Sequence, residues 1–455
     1  MTGTHLYKVL CRGTQRKPRN PEYIADINQE ILEKLNTLVH RKFRLWILLL
    51  CGSILYFFAN VQRVAIPGSI FDELQKSLNV SAAYVTNLGS AFMYVYALNQ
   101  LVIGLLVDRF GGCRVIATGA LLFCIGSAVF PFSDSLFMLY FSRAIVGLGA
   151  SAVYLSLVKE TARTFTRNFT VMLGLLVLIG YTGGIMANAP FIAGVQIVGW
   201  RMMLKIIAAA TFLAYLIFVG IKFTLKMPAI QNVPFSFTPF LELLKRRHNR
   251  SLFLFSGINF GLYYVLQTVI GKKFLEDFCF MGEVRAAWIL SLMGVLSAVS
   301  SFFAASLSRL LGNRRRVFVR TAGLGCILSF LALLLAIGFD CRTQWIALFF
   351  CTLTITANVA PVTISLLRET NLPNVVGVSV SFMNFYAYIT VAILGSLTGI
   401  LMDLFPPVLK DSVHIYGRNS YLVVFTFLFL LSCVVVYNSF RLRETNGENC
   451  AETTL

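Results

Sequence analysis

Apolar runs of membrane-spanning length constrain the fold of this chain more than any other feature. A transmembrane helix needs about 20 consecutive, mainly apolar residues. Runs of this kind lie at about 45–67, 82–107, 113–132, 135–158, 168–194, 202–224, 251–270, 285–309, 317–338, 344–367, 374–403 and 419–440. The sequence therefore predicts an all-α membrane protein with about twelve transmembrane helices.

The composition agrees with a bilayer as the solvent for most of the chain. Of 455 residues, 57% are hydrophobic and 13% are charged, and the mean hydropathy is +0.75. A soluble globular chain is about 45–50% apolar and about 25% charged. The apolar excess is too large for a soluble core of this length, so we assign it to a surface that faces lipid.

A polar segment near the middle of the chain divides the runs into two sets of six. This segment contains three prolines and the basic run at residues 245–248. The predicted organisation is a tail at 1–44, an amino-terminal bundle at 45–224, a linker at 225–250, a carboxyl-terminal bundle at 251–440 and a tail at 441–455. Apolar residues at helical spacing between Glu22 and Arg44 predict either an amphipathic helix on the membrane surface or a solvated basic tail.

The placement of basic residues predicts the orientation of the chain. The formal net charge is +19, and 28 of the 39 Lys and Arg residues lie on the side of the two termini, against 9 on the opposite side and 2 within helices. Cytoplasmic loops carry the basic excess in membrane proteins. We therefore expect both termini to lie in the cytoplasm. The expected location of the protein is the inner membrane of a bacterium, with a eukaryotic organelle as the alternative. Nucleic-acid binding is not expected.

An internal repeat relates the two sets of helices. The segment 104–114 after the second run is similar to 305–315 after the eighth, at an offset of 201 residues. The sequence Leu-Val-Lys-Glu-Thr at 157–161 is similar to Leu-Leu-Arg-Glu-Thr at 366–370, at an offset of 209. Two related six-helix halves are an arrangement typical of transporters that rock around a central site.

The loop after the second run carries the most specific motif, which reads GLLVDRFGGCR from Gly104 to Arg114. It resembles the loop signature G-x-L-x-D-R-x-G-R-R of the major facilitator superfamily, although Gly112 and Cys113 replace its usual basic pair. In that family the loop stabilises the outward-facing state, so the resemblance implies a cytoplasmic gate. An ordinary basic loop is the alternative. The candidate gating residues are Gly104, Asp108, Arg109, Gly111 and Arg114.

The fourth run strengthens the resemblance to the same family. Arg143, Gly147 and Gly149 form the pattern R-x-x-x-G-x-G, which is similar to the family's fourth-helix motif, and the fifth run is rich in glycine. Together these motifs and the helix count cover nearly the whole chain. The resemblance implies two pseudo-symmetric six-helix bundles around a central cavity, with alternating access to the two sides of the membrane.

Charge within the runs is the main clue to the solute. No Asp or Glu falls in the middle of a run, whereas Arg63 and Arg143 lie within runs, both in the outer half of the amino-terminal bundle. An arginine offers a bidentate fork to a carboxylate or a phosphate. The pair therefore predicts an anionic or zwitterionic solute. Alternatively, Arg63 snorkels to the outer interface and Arg143 pairs with backbone carbonyls. Lys272 and Lys273 either add positive field or are solvated loop charges.

Polar residues within the runs are further candidates for contact with solute. Asn259, Tyr263 and Gln267 follow a spacing of four, which places them on one helix face. The complete set of substrate-binding candidates is Arg63, Arg143, Gln62, Tyr96, Asn99, Asn259, Tyr263, Gln267 and Asn384. A wider polar set includes Asn60, Tyr94, Gln100, Tyr154, Asn188, Tyr264, Asn358, Tyr386 and Tyr388. Interhelical hydrogen bonding is the alternative role for these side chains.

The function predicted from these features is secondary active transport of a carboxylate, an amino acid or a phosphate ester. A symporter would use a coupling ion, a proton or sodium, although no buried Asp or Glu is available in the runs to carry a proton. An exporter of amphipathic compounds is one alternative, because the chain is rich in aromatic residues. A non-transporting sensor on the same fold is the other, with the amino-terminal tail as its output.

Motifs for catalysis or ATP use are missing from the sequence. It lacks the loop G-x-x-x-x-G-K-[ST], its ten Cys form no C-x-x-C pair, and its four His at positions 5, 40, 248 and 414 lie in tails or loops. We therefore predict no enzyme activity, no cofactor and no metal site. The expected partners are a small-molecule solute, the candidate coupling ion and the lipid bilayer, and the expected state is a monomer.

Overall fold

The computed structural model describes the backbone of residues 21–165, 169–225, 238–341, 345–372, 375–410 and 413–450. Side chains are described from residue 43 in the first of these segments, 172 in the second and 242 in the third. Parts of the predicted tails and linker, at 1–20, 226–237 and 451–455, lie outside the described residues, so the predicted domain boundaries stay predictions.

Helices form almost all of the described chain. The amino-terminal helices are α1 (Pro21–Ala65), α2 (Phe71–Leu78), α3 (Ala82–Phe110), α4 (Gly112–Val129), α5 (Leu136–Thr164), α6 (Phe169–Met186), α7 (Ala189–Val198) and α8 (Trp200–Phe223). The carboxyl-terminal helices are α9 (Thr238–Lys245), α10 (Arg247–Val265), α11 (Gly271–Asp277), α12 (Glu283–Leu310), α13 (Arg315–Gly338), α14 (Ile346–Ala357), α15 (Ala360–Thr370), α16 (Val376–Met402) and α17 (Arg418–Arg441). The remaining described elements are short 3₁₀ turns at Gly68–Ile70 and Phe130–Phe132, a π-helical turn at Leu266–Ile270, and the strands β1 (Val408–Lys410) and β2 (Val413–Ile415).

The predicted number of membrane spans is confirmed. Eleven helical segments of the described residues are long and apolar enough to cross a membrane, and the bent pair α6 and α7 makes a twelfth if it counts as one span. The segment from Glu22 to Arg44, predicted as a separate amphipathic helix or a tail, is helical and runs without a break into the first span. Its location on the membrane surface stays a prediction.

The spans are arranged in two bundles. In the amino-terminal bundle α1 packs against α6 and α8, and α4 packs against α5 and α8. In the carboxyl-terminal bundle α13 packs against α14 and α17, and α10 packs against α16 and α17. The bundles meet mainly where α3 lies along α16 and where α6 lies along α12. Each bundle therefore contributes two helices to the interface around the molecular centre.

Proline and glycine set several of the helix ends. The helix α1 ends at Ala65 because the ring of Pro67 disfavours helical geometry at the preceding residue. Gly111 joins α3 to α4 with a φ of +83°, in the region where glycine has no steric penalty. Close helix contact depends on glycine as well, since a Cβ at Gly147 of α5 would lie 2.5 Å from the Phe92 carbonyl oxygen on α3.

The surface between the helix ends is apolar, as a bilayer requires. Phe137, Phe302 and Leu213 are among many large apolar side chains that are more than half exposed. They belong to α5, α12 and α8, all of which are membrane spans. Without lipid, such an exposed apolar surface would be a severe solubility liability. The hydrophobic excess predicted for a lipid-facing surface is therefore found there.

The helix ends form two opposite faces of the bundle. The terminal face is where the first span begins at Phe43 and the last helix ends at Arg441. The distal face is the opposite one, which carries α2, α11 and the antiparallel hairpin of β1 and β2, in which Leu409 pairs with His414.

The two bundles are tied together at the distal face. The Asp403 carboxylate, after α16, accepts hydrogen bonds from the Ser81 hydroxyl at 2.6 Å and from the Ala83 amide at 2.9 Å. It thus caps the positive amino terminus of α3 in the other bundle. Beside it, a Cβ at Gly399 would clash with the Thr86 hydroxyl of α3, so the two helices are in close contact.

Lys272 and Lys273 are buried, so the alternative that they are solvated loop charges is wrong. Their side chains are 1% and 0% exposed. Lys272 pairs with Glu276 at 3.1 Å and Glu283 at 3.5 Å. Lys273 pairs with Asp277 at 2.9 Å within its own helix. A buried ammonium group requires such partners, because burying an unpaired charge is strongly unfavourable.

Candidate functional site

The centre of the interface is occupied by the guanidinium group of Arg63, which is buried at 9% exposure near the end of α1. One terminal nitrogen donates a hydrogen bond to the Tyr388 hydroxyl of α16 at 2.9 Å, and the other donates to the Asn60 amide oxygen on α1. Its Nε atom is inaccessible to solvent and has no hydrogen-bond partner among the described residues. The group therefore keeps donor capacity that the protein itself does not use.

Tyrosine rings surround this guanidinium. The ring centroids of Tyr96, Tyr264 and Tyr388 lie 5.8, 5.6 and 5.4 Å from its central carbon. We call these three residues the tyrosine cage. Tyr96 belongs to the amino-terminal bundle and the other two to the carboxyl-terminal bundle, so the cage bridges both. Aromatic faces attract a cation by about 0.5–2 kcal/mol, which helps to hold the charge without a carboxylate.

The partners of Arg63 place it deep in the membrane-spanning region. Tyr96, Tyr264 and Tyr388 all lie near the middle of their spans, which are Ala82–Phe110, Arg247–Asp277 and Val376–Met402. An arginine that snorkels to the interface would extend toward a helix end and away from such residues. The contacts of Arg63 point inward instead, toward the junction of the bundles.

Arg143 has a different environment, although it is the same residue type in the same bundle. Its three donor nitrogens reach the carbonyl oxygens of Leu88 at 3.3 Å, Gln62 at 3.2 Å and Ile66 at 3.2 Å. It is 1% exposed, and its guanidinium lies 4.8 Å from the centroid of the Phe92 ring. The carbonyls of Gln62 and Ile66 belong to the last turn of α1 and its end, where helix carbonyls lack internal partners.

The geometry of Arg143 thus matches the alternative in which it pairs with backbone carbonyls. A cation is favourable at a helix carboxyl terminus. The group fixes the end of α1, and Arg63 lies on the same turn. Arg143 therefore positions the helix that presents Arg63, and its own guanidinium is occupied by protein.

The other predicted substrate-binding residues lie in different environments. Tyr96 is in the cage. Asn99 hydrogen-bonds the Ser151 hydroxyl of α5 at 2.6 Å, and Asn259 hydrogen-bonds the Ala357 carbonyl of α14 at 2.8 Å, so both amides join helices within one bundle. Asn384 is half-buried on α16. The structure brings Arg63 and Tyr96 together and directs the two other amides elsewhere.

On α10 the rings that face Arg63 are one position away from the predicted face. Tyr264, rather than Tyr263, reaches the guanidinium, and Phe260 stacks on Tyr264 with ring centroids 4.9 Å apart. Gln267 lies in the π-helical turn Leu266–Ile270 that follows, with its amide nitrogen beside Gly294 of α12. The spacing of four selected the helix face of Asn259, Tyr263 and Gln267. The adjacent face also carries a tyrosine, Tyr264, and the packing of the helices determines which of the two rings contacts Arg63.

A further buried polar group near the cage has no partner among the described residues. It is the side-chain amide of Gln100, which is 1% exposed and one helical turn from Tyr96 on α3. Buried polar atoms without partners are uncommon in native proteins.

Tyr56, which stacks on Tyr154 at 5.0 Å next to Asn60, was not among the candidates from the sequence.

The predicted gate residues form a compact loop at the terminal face. The Asp108 carboxylate accepts a hydrogen bond from Lys159 of α5 at 2.6 Å, and Lys159 also donates to the Gly104 carbonyl at 2.9 Å. Arg109 lies over the Phe110 ring at 5.4 Å, and Arg114 is exposed. These contacts stay within the amino-terminal bundle.

The glycine that departs from the family signature has a structural cause. The Gly112 amide donates to the Glu160 carboxylate at 2.8 Å. A Cβ at this position would lie 2.6 Å from the Glu160 side chain and 2.9 Å from the Ser156 carbonyl oxygen. No room exists for an arginine there. Glu160 thereby caps α4, as a carboxylate does favourably at a helix amino terminus.

A second charged group lies at the distal face. The distal ionic cluster consists of Asp72, Glu73, Lys272, Lys273, Glu276, Asp277 and Glu283. Asp72 and Glu73 come from α2, and the others come from the carboxyl-terminal bundle. Burial raises the pKa of Glu73 from 4.5 to about 7, Lys272 lowers it and the nearby Glu283 carboxyl raises it. The cluster therefore joins the bundles and contains a carboxyl group that titrates near neutral pH.

Comparison with known proteins identifies the architecture. A family model described as Major Facilitator Superfamily matches residues 48–396. The multidrug resistance protein MdtM of Escherichia coli O157:H7 is 28% identical over 171 residues, covering 36% of this chain and 40% of that protein. The probable anion transporter 3 of Arabidopsis thaliana chloroplasts is 27% identical over 138 residues, covering 30% of this chain and 26% of its own length. The chain thus spans well under half the length of these two relatives.

Solved structures share the fold over a larger part of the chain. A bacterial homologue of the human lysosomal transporter Spinster, in an inward-facing and unoccupied conformation, has a TM-score of 0.69 at 15% identity and covers 87% of this chain and 97% of its own. The nucleoside transporter NupG has a TM-score of 0.62 at 16% identity, covering 87% and 100%. At this identity the likeness establishes the fold alone.

Proposed function

We propose that this protein, which belongs to the major facilitator superfamily, is a secondary active transporter of a small organic anion. The family and the spans support a multi-pass membrane transporter rather than an enzyme. One observation carries the proposal for the solute. The buried Arg63 has no ion-pair partner among the described residues, and groups from both bundles contact it. A buried cation is costly in a membrane unless an anion or a polar group compensates it.

The geometry supports a simple sequence of events. A solute carboxylate accepts hydrogen bonds from the free edge of the Arg63 guanidinium, which includes Nε. Tyr96 and Tyr264 then contact the solute from opposite bundles. Because both bundles contribute, a bound solute stabilises the arrangement in which they are close together, and its binding energy favours occlusion. Alternating access follows when one face opens as the other closes.

The state of the two faces supports an orientation. The distal face is closed by the Asp403 cap and by the ion pair of Lys273 with Asp72. At the terminal face the Asp108 and Lys159 pair lies within one bundle. The positive-inside pattern predicts cytoplasmic termini, and the closed distal face would then be the outer one. Opening outward would require the distal contacts to break and the loop of Asp108 to engage the other bundle.

The direct test is uptake into proteoliposomes by the purified full-length chain. Labelled benzoate, glycerol phosphate and glutamate serve as probes of the three candidate solute types. We expect saturable uptake of at least one of them, at least tenfold lower in Arg63→Ala, with the melting temperature retained. Arg201→Ala is the matched control, because Arg201 pairs with the exposed Asp134 at the distal face and lies outside the cage. Uptake by Arg63→Ala at the wild-type rate would refute the assignment.

An exporter of amphipathic compounds is the second candidate. The aromatic residues around the cage favour it, including the stacked pair of Phe260 and Tyr264. The partial similarity to a multidrug resistance protein points the same way. Neutral or cationic amphipathic probes distinguish the two candidates. Their transport by both the wild type and Arg63→Ala, with no anion transported, would favour the exporter.

A further inference from the structure

We infer that the solute of the central site is a monovalent carboxylate carried on a planar aromatic body, and that the tyrosine cage selects for it. This inference rests on the proposed function and deepens it, since it chooses one class among the carboxylates, amino acids and phosphate esters that an arginine alone would admit. Three features of the described residues lead to it: the number of free cations, the position of the carboxylates and the arrangement of the rings.

The count of free cations sets the charge of the solute. Arg143 is occupied by three backbone carbonyls, and Lys272 and Lys273 are each held by two carboxylates. Arg63, whose partners are the Tyr388 hydroxyl and the Asn60 amide oxygen, is the one of these four buried cations with neither a carboxylate nor a set of backbone carbonyls around it. One guanidinium balances one negative charge. A phosphate ester that carries two charges would leave the second uncompensated in a low-dielectric site, which is strongly unfavourable.

The donor geometry at Arg63 matches a carboxylate. A guanidinium has five N–H donors in a planar fork. The Tyr388 hydroxyl and the Asn60 oxygen use one donor on each terminal nitrogen. The Nε–H has no partner among the described residues, and the Tyr264 hydroxyl hydrogen-bonds the guanidinium. A guanidinium N–H without a protein partner favours an anionic oxygen acceptor such as that of a carboxylate.

The position of the acids disfavours a zwitterion. The carboxylates nearest to this region along the chain, such as Asp72 and Asp403, lie at the distal face and are engaged there. The sequence has no Asp or Glu in the middle of a span. An α-ammonium group would therefore meet tyrosine rings that already face a cation. A buried ammonium without a carboxylate is costly, so amino acids should bind weakly.

A cluster of aromatic rings packs next to the charge. The Tyr96 and Tyr388 rings meet edge to face with centroids 4.6 Å apart. Phe260 stacks on Tyr264 and meets Tyr388 edge to face at 5.6 Å. Rings prefer offset-stacked or edge-to-face contacts, worth about 0.5–1.5 kcal/mol beyond burial. Four rings from three helices beside one carboxylate-binding edge therefore favour an aromatic ring attached to the carboxylate over a saturated one.

Equilibrium binding to the full-length protein in nanodiscs tests the inference. The probes are benzoate, cyclohexanecarboxylate, phenyl phosphate, phenylalanine and benzamide, which change the ring, the charge or the ammonium group one at a time. We expect benzoate to bind about tenfold more tightly than cyclohexanecarboxylate, since about 1.4 kcal/mol is a factor of ten. Phenyl phosphate and phenylalanine should bind more weakly than benzoate by a similar or larger factor, and benzamide should not bind measurably.

Two variants locate the effect in the cage. Tyr264→Leu should remove the preference for benzoate over cyclohexanecarboxylate, whereas Tyr264→Phe, which keeps the ring, should retain it. The melting temperature of each variant is measured as well, so that a folding defect is not mistaken for lost selectivity. A preference unchanged in Tyr264→Leu would overturn the role of the cage.

The outcomes separate this inference from the proposed function. Equal binding of the aromatic and saturated carboxylates overturns the aromatic body, and tighter binding of phenyl phosphate or phenylalanine overturns the monovalent carboxylate. Either result leaves the transport of anions standing. Absence of anion binding by the folded protein, or binding unchanged in Arg63→Gln, overturns the anion site and the proposed function with it.

Discussion

The ammonium group of Lys273 lies 2.7 Å from the Asp72 carboxylate and thereby joins the two bundles at the distal face. The lysine side chain is 0% exposed, and the carboxylate is 28% exposed. Removal of one partner from a buried ion pair costs about 3–5 kcal/mol when the other charge is left unpaired. Lys273 keeps Asp277 at 2.9 Å, so loss of Asp72 should cost less than this while removing the link between the bundles. This contact is therefore a strong candidate for the lock that closes the distal face.

We predict that Asp72→Asn shifts the protein toward a state with the distal face open. Distances between spin labels on α2 and on the β1–β2 hairpin should lengthen in a measurable fraction of molecules. The matched control is Asp134→Asn, which breaks the exposed pair with Arg201 at the same face. Exposed pairs contribute about 0–1 kcal/mol, so this change should have little effect. Identical distance distributions in wild type and Asp72→Asn would refute the lock.

Arg63→Ala and Arg143→Ala should differ in their effect on stability. Arg143→Ala removes the guanidinium that binds the Gln62 and Ile66 carbonyls at the end of α1, and an unpaired buried carbonyl costs about 1–3 kcal/mol. We expect a lower melting temperature and poor yield for that variant. Arg63→Ala removes a buried charge and should fold at least as well as wild type while losing anion binding. A thermal unfolding scan of both purified variants compares their melting temperatures. Equal melting temperatures would contradict the positioning role of Arg143.

The stability of the protein should depend on pH through Glu73. Its pKa is raised from 4.5 to about 7, so the folded state binds a proton more tightly than the unfolded chain. The stabilisation is present in full below about 4.5 and is lost as the pH rises to about 7. Melting temperatures measured between pH 4.5 and 8 should therefore fall through this window, and Glu73→Gln should flatten that part of the curve. A curve unchanged by the substitution would exclude Glu73 as the titrating group.

Gly112→Ala should disrupt the loop that carries the predicted gate residues. The added Cβ would meet the Glu160 side chain at 2.6 Å and the Ser156 carbonyl at 2.9 Å. Overpacking of this kind costs about 1–3 kcal/mol. Gly282→Ala is the control, because nothing lies within 4 Å of its Cβ position. We expect reduced uptake and a lower melting temperature for Gly112→Ala alone, and wild-type behaviour of that variant would show that the loop yields.

Much of the candidate site was visible in the sequence, but its internal arrangement was not. Arg63 and Tyr96 were both identified, and they meet in the structure. Tyr264 and Tyr388 belonged only to the wider polar set, since adjacent tyrosines on one helix cannot be ranked by spacing. A helix turns 100° per residue, so one position changes the neighbour that a side chain meets. Whether these residues bind solute stays a prediction.

The sequence by itself determined the number of spans, the two-bundle fold and the presence of arginine inside the membrane. Hydrophobic length and the internal repeat are local properties of the chain, and the bilayer imposes helices on any segment that crosses it. Only the tertiary structure decided that backbone carbonyls bind Arg143 while the Nε atom of Arg63 has no partner among the described residues, and that Lys272 and Lys273 are buried in ion pairs. The physical reason is that the environment of a charge depends on groups distant in sequence, such as Tyr388 beside Arg63, which only the packing of helices brings together.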